Sequence, residues 1–179
     1  MSPLPVDLGD GVVLRRYEMD DLETLWSAVD AERERIGVWM PWVELTRSID
    51  DERGFLEIVA ADERGLAGGS LWRGRDLIGG AGLMPDAFGI TGEIGYWVRA
   101  AEEGRGHITR ACRALIEIGF KEVGLHRIVI RAGVDNRRSR AVPERLGFTF
   151  EGIHREEGRG SGGFYDLAMY GLLDREWSP

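Results

Sequence analysis

The chain has 179 residues, one cysteine, three histidines and a formal net charge of −8. A folded chain of this size buries about 70% of its extended surface, enough for one full core, so residues 1–179 are read as a single domain. A lone cysteine excludes an internal disulfide framework, three histidines leave no clustered zinc ligands, and the acidic balance argues against a general nucleic-acid surface.

Apolar residues make up 43% of the chain, and none of their runs approaches the ~18 residues that cross a bilayer. The opening MSPLPVDLGDGVVLRR lacks the basic flank and apolar stretch of a signal peptide, so the expected location is the cytoplasm. The net charge hides an asymmetry: residues 104–145 hold ten Arg or Lys against four Asp or Glu, a net of +6, and the remainder is at −14. A basic third inside an acidic chain fits a locally held anion and a neutral or cationic second ligand; it equally fits a solvated helix face.

In chain order, Val12 to Arg16 reads as a strand. Asp20 with Glu23 then forms a capping-box-like start to a helix whose stripe is Leu22, Leu25, Trp26 and Val29. Trp39-Met40-Pro41-Trp42 reads as a loop, and Ser48 to Ala61 as a helix with Phe55, Leu56 and Val59 inward. Gly68 to Trp72 and Leu77 to Leu83 form a hairpin, and a strand from Gly92 to Val98 leads into Glu103-Gly-Arg-Gly-His-Ile-Thr109. The clearest helix follows, with Ile108, Ala111, Cys112, Leu115, Ile116, Gly119 and Val123 on one face and an Arg113–Glu117 pair on the other. His126 to Val134 is a strand, Asn136 to Leu146 a short helix, and Phe148 to Arg155 and Phe164 to Leu173 two more strands. Strand, helix and strand in close succession require a right-handed crossover and a parallel pair, while the hairpins add antiparallel neighbours. The expected class is α+β: a mixed, mostly antiparallel sheet of about seven strands with a parallel central pair, flanked by about four helices.

The strand, Gly-rich turn and helix start over residues 92–109 make an anion site, because free backbone N–H groups and the positive helix end converge there. A P-loop lysine is missing, and Thr109 stands where a dinucleotide fingerprint needs its third glycine. The turn occurs together with Trp39-Met-Pro-Trp42, Glu93-Ile-Gly-Tyr-Trp97, Gly124-Leu-His-Arg127, Asn136-x-x-Ser139, Glu144-Arg-Leu-Gly-Phe148 and Tyr165-Asp…Met169-Tyr170. In this order and spacing, from about Val13 to Trp177, the sequence resembles the GNAT N-acetyltransferases, and within them the ribosomal-protein N-terminal acetyltransferase branch.

The resemblance implies acetyl-CoA as cosubstrate and a primary amine as acceptor, either a protein N-terminus or a small polyamine or aminoglycoside. Carried over, the pyrophosphate falls to Arg105, Gly106, His107, Ile108 and Thr109, and the pantetheine arm to the backbone of Tyr96, Trp97 and Val98. Asn136 is expected on the pantetheine chain and Ser139 at the thiol. Much of the superfamily places a tyrosine acid seven residues after this Asn, where Pro143 stands here; Pro143 also removes the N–H that reaches the Ser139 carbonyl, which must find another partner. For the base, the Rim-type pattern has a Glu where Gly158 aligns, leaving Glu156, Glu157 and, on the strand before the turn, Glu93, ranked first. Trp39, Met40, Trp42 and Tyr165 are expected around the acceptor; His107, His126 and Cys112 are read as structural. Glu103, where the wider pattern has Gln or Arg, and Gly158 leave open a catalytically silent CoA-binding module. Expected partners include neither nucleic acid, metal nor membrane, and a homodimer is compatible with the resemblance.

Overall fold

The computed structural model describes residues 3–62, 66 and 68–178. Strand β1 (Val6–Asp7) pairs with β2 (Val12–Arg16), and a 3-10 turn at Met19–Asp21 leads into α1 (Leu22–Gly37). The helix start is set one residue later than Asp20: Glu18 N–H donates to Asp21 at 2.8 Å, and the same carboxylate takes two bonds from Arg15 at 2.7 and 2.8 Å. Next come α2 (Trp42–Leu45), a single turn where the sequence reads as a loop, and α3 (Ile49–Ala61), capped by Ser48. Strands β3 (Gly69–Arg73), β4 (Asp76–Pro85) and β5 (Thr91–Val98) precede α4 (His107–Ile118). The chain ends with β6 (Arg127–Gly133), α5 (Arg137–Arg145), β7 (Thr149–Gly160) and β8 (Gly163–Leu173).

The eight strands form one sheet in the order β1-β2-β3-β4-β5-β6-β8-β7, antiparallel throughout except for β5 and β6. The α+β class with a parallel central pair therefore holds. The strand beyond the expected seven is the two-residue β1, too short to show a period in sequence.

Two cores lie on opposite faces. On one, α4 buries Ile108, Ala111, Cys112, Leu115, Ile116 and Ile118 against Leu83, Ile94, Ile128 and Ile130. Each fully buried aliphatic side chain contributes about 1.5–3 kcal/mol, so α4 is a rigid platform. On the other, Leu25, Val29 and Ile36 of α1 and Leu56 and Val59 of α3 pack over Tyr17, Trp72 and Leu77. Phe55 is half-exposed rather than inward, edge-on to Tyr17 at 5.8 Å. Glu117 bonds Lys121 and Trp177 Nε1 (2.7 Å) rather than pairing with Arg113, whose guanidinium stacks on Trp177 at 5.3 Å. No helix among the described residues is long and apolar enough to cross a membrane.

Strand β7 runs past Arg155 to Gly160 because a bulge between His154 and Gly158 sets three of its residues against one of β8, absorbing two, with Glu156 at a φ of 53°. At its far side a Cβ on Gly158 would lie 2.1 Å from the Tyr165 ring. A glutamate is therefore sterically excluded there.

In the second core, Glu52 is buried, one carboxylate oxygen has no hydrogen-bond partner, and burial pushes its pKa up to about 7 against the smaller opposing pull of Arg33. The folded protein holds this proton more tightly than the unfolded chain, whose carboxyl titrates near 4.5. Stability therefore declines as pH climbs through that interval and levels off above about 7. Glu52→Gln is expected to flatten this slope and to raise the melting temperature at pH 8, as thermal melts across the range will read.

Candidate active site

The site begins where β5 and β6 part. They pair only at Thr91–Arg127, Gly92–Ile128 and Glu93–Val129; beyond that β5 continues on β4 alone and β6 on β8. Residues 94–98 thus present a free strand edge, an arrangement that an extended amide-bearing ligand completes.

Beyond Val98 the chain turns through Gly104 (φ 74°) and Gly106 (φ 77°), left-handed conformations that glycine adopts without cost. Gly106 caps α4, and the first intrahelical bond runs from Arg110 N–H to the Gly106 carbonyl at 3.1 Å. The N–H groups of His107, Ile108 and Thr109 precede it and lack helical partners. A side chain on Gly104 would meet nothing within 4 Å, so the backbone is approachable there.

Below the turn, buried Glu102 takes two bonds from Arg73 at 2.6 and 3.0 Å and lies 3.3 Å from His107. Burial pushes the Glu102 carboxyl up, but Arg73, Arg105 and His107 together hold it below the usual range. His107 is held low by burial and by Arg110, so its ring is neutral at pH 7 and braces Glu102 against Arg110.

A cleft of about 710 Å³ joins this turn to α5 and to the end of α1. It brings together Tyr96, Trp97, Val98, Gly106, His107, Ile108, Thr109, Asn136, Ser139, Trp39 and Met40 from the residues singled out by sequence. Arg105, Trp42, Tyr165, Glu93 and Glu157 are not among its lining residues. Arg105 is exposed and 3.7 Å from Glu102. Trp42 packs on the second core with Nε1 on Met40 Sδ at 3.1 Å. Tyr165 stands behind Trp39, its hydroxyl donating to the Trp39 carbonyl at 2.7 Å.

Glu93 and Glu157 share one arginine. Arg131 donates to both oxygens of Glu93 (2.9 and 2.7 Å) and to Glu157 at 3.3 Å, and Glu157 also bonds His154. Glu103 accepts from Arg35 at 2.7 Å and from Arg138, so its charge is matched from both walls of the cleft; Arg35 also donates to the Val98 carbonyl.

Asn136 caps α5 by accepting the Ser139 N–H at 3.1 Å, which leaves its amide N–H groups for another acceptor. The Ser139 carbonyl, deprived of a partner by Pro143, accepts the Tyr96 hydroxyl at 2.9 Å, and the Ser139 hydroxyl lies 3.1 Å from the same phenol. Sequence reasoning anticipates the orphaned carbonyl and not its donor. The usable signal was that Tyr96 follows Ile94 by two residues and so shares its face of β5.

A family model for the acetyltransferase (GNAT) domain matches residues 12–149. The chain belongs to the GNAT acetyltransferases. Among its relatives, YdaF of Bacillus subtilis (strain 168), provisionally named a ribosomal N-acetyltransferase, is 38% identical over 175 residues, 95% of each chain. The ribosomal-protein-serine acetyltransferase of Escherichia coli (strain K12) is 25% identical over 171 residues, 94% of this chain and 96% of that one. The microcin C7 self immunity acetyltransferase MccE, solved with acetyl-CoA and AMP, superposes with a TM-score of 0.85 at 27% identity, covering 96% of this chain and 97% of its own. The acetyltransferase is an acetyl-CoA-dependent enzyme that acetylates amines, and its cleft has what such a donor needs: a strand edge that no other strand pairs, taken only at the Val98 carbonyl by Arg35, and N–H groups without helical partners for phosphate.

Gly106→Val tests the turn. The left-handed φ strains any other residue and moves the N–H groups. CoA affinity by titration calorimetry is expected to fall at least about tenfold, or ~1.4 kcal/mol, in a variant that still melts cooperatively. Unchanged affinity would remove the turn from the donor site.

Proposed function

We propose that the acetyltransferase modifies the N-terminal amine of a protein, a ribosomal protein being the first to test. The observation that carries this reading is the 38% identity to YdaF across 95% of both chains, and the same direction is given by the Escherichia coli ribosomal-protein-serine enzyme. The acidic remainder of the chain, net −14 outside residues 104–145, favours a cationic acceptor and supports a small polyamine or aminoglycoside as the second reading.

Acetyl-CoA supplies an activated acyl group and a thiol leaving group. In the proposed roles, the N–H groups of residues 106–109 with Arg105 hold the pyrophosphate, the free edge at Tyr96, Trp97 and Val98 pairs with the pantetheine amides, and Asn136 donates to the same chain. Trp39 and Met40, backed by Trp42 and Tyr165, wall the acceptor amine and keep water from the thioester. The Ser139 hydroxyl donates to the sulfur as charge gathers on it. Glu93, on the strand that lines the cleft, takes the proton the amine loses, through water; Glu157, on the same arginine, is the competitor.

Free-thiol release from acetyl-CoA, measured with peptides carrying ribosomal-protein N-termini and with polyamines and aminoglycosides, decides among these readings. A higher kcat/KM for the peptides supports the proposal, preference for a small amine replaces it with the second reading, and no release with any amine leaves a CoA-binding module.

Two substitutions test the roles. Ser139→Ala is expected to lower kcat by about 10²–10⁴-fold with CoA affinity nearly unchanged. Loss of a first-turn side chain costs α5 up to ~1 kcal/mol, so a melting curve must accompany the rates. Glu93→Gln is expected to lower kcat and to remove the acidic limb of the pH–rate profile. If Glu157→Gln does this instead, the base is Glu157.

A further inference from the structure

We infer that Tyr96 is the residue that positions Ser139 for its work on the leaving sulfur, and that Tyr96, Ser139 and Pro143 act as one unit. The inference rests on the proposed role of Ser139 and adds to it a side chain from a different element.

The argument starts from a missing atom. A helical carbonyl at position 139 is reached by the N–H of residue 143, and proline has none. A carbonyl inside a half-buried wall without a donor costs free energy, so a donor must come from outside α5. The Tyr96 hydroxyl supplies it at 2.9 Å. A phenol has one proton and a carbonyl can only accept, so that proton is committed to the Ser139 carbonyl. The Ser139 hydroxyl, 3.1 Å from the phenol oxygen, must then be the donor of its own bond to Tyr96. One phenol thus fixes both the backbone and the hydroxyl of Ser139.

The hydroxyl proton rests on Tyr96 and needs only a rotation of the O–H group to turn toward a charge that develops in the cleft. The Tyr96 proton does not leave. Burial raises the phenol far above its ordinary range, with nearby Cys112 adding to the shift, so Tyr96 stays neutral and transfers nothing. No covalent bond to Tyr96 forms or breaks during acetyl transfer: the Ser139 hydroxyl exchanges its hydrogen bond to the phenol for one to the sulfur, while the Tyr96 bond to the Ser139 carbonyl stays in place and holds that oxygen where a thiolate can use it. Tyr96 also belongs to β5, whose free edge lines the same cleft, so the position of Ser139 is tied to the strand that receives the donor.

The test uses Tyr96→Phe, Ser139→Ala, the double variant, and Tyr96→Phe with Pro143→Ala, which restores an N–H to the carbonyl. Three readouts are taken on the full-length protein: kcat, melting temperature, and the ionisation of the thiol in bound CoA followed by thiolate ultraviolet absorbance. Tyr96→Phe is expected to lower kcat about tenfold, the factor one ordinary hydrogen bond represents, and to shift the bound thiol's ionisation toward the value in Ser139→Ala. In the Ser139→Ala background it is expected to change neither. Pro143→Ala is expected to return the melting temperature lost in Tyr96→Phe without returning kcat, and it is the variant to measure if Tyr96→Phe alone does not fold. If Ser139→Ala leaves both rate and thiol unmoved, the Ser139 role fails and this inference with it. If Ser139→Ala moves both and Tyr96→Phe moves neither, Ser139 stands and the positioning role is overturned. Recovery of kcat together with the melting temperature in the Pro143→Ala combination would reduce Tyr96 to a plug for an orphaned carbonyl.

Discussion

The parting of β5 from β6 after three paired residues is the constraint on which the rest depends. Parallel neighbours need a crossover, and here that crossover is the Gly-rich turn and α4, so the open strand edge and the helix N-terminus are made by the same stretch of chain. An edge inside a sheet leaves a row of amide groups without partners. Here they face a cleft, and the Val98 carbonyl among them is taken by Arg35. The two cores hold the edge open from either face, α4 on one side and α1 with α3 on the other.

Electrostatics within the site are largely internal. The basic stretch at residues 104–145 reads as a field for an anion, yet much of it is spoken for: Arg127 by Glu151, Arg131 by Glu93 and Glu157, Arg138 by Glu103, Arg140 by Tyr170 and Glu144. The pairs of Arg127 with Glu151 and of Arg131 with Glu93 are two-pronged, a geometry that orders both partners. Beside Arg110 and Arg145, which line the cleft, the turn offers oriented backbone N–H groups, which carry no formal charge and escape charge arithmetic.

The elements with a strong period were legible in sequence: α4 with its apolar stripe, the β3–β4 hairpin and the parallel crossover all fall where the pattern puts them. Misreadings cluster where a few side chains decide. Asp21, not Asp20, starts α1 because Arg15 pairs with it across the chain; Glu117 turns to Lys121 and Trp177 instead of Arg113. The sequence allows Glu117 either Arg113 or Lys121 one turn away, and the bond from Trp177, 60 positions on, has no sequence period to betray it. The site was legible in its backbone parts, the turn and the strand edge, and in Asn136 and Ser139. The gap at position 158 was visible as a gap, but only the Tyr165 ring filling that space explains it. Tyr96 was legible as backbone and invisible as a phenol, since its bond to Ser139 joins residues 43 positions apart.

Cys112 is fully buried on the inward stripe of α4, and burial raises its thiol well above the ordinary cysteine range. It is the chain's sole cysteine. A thiol without a thiolate and without access does not react with disulfides or electrophiles. The folded protein is therefore silent to thiol-reactive dyes, so colour developed during turnover counts departing CoA and nothing else. The same inertness means that a cysteine introduced by mutation at any exposed position becomes a unique handle for a fluorophore or crosslinker, with no native thiol to remove first.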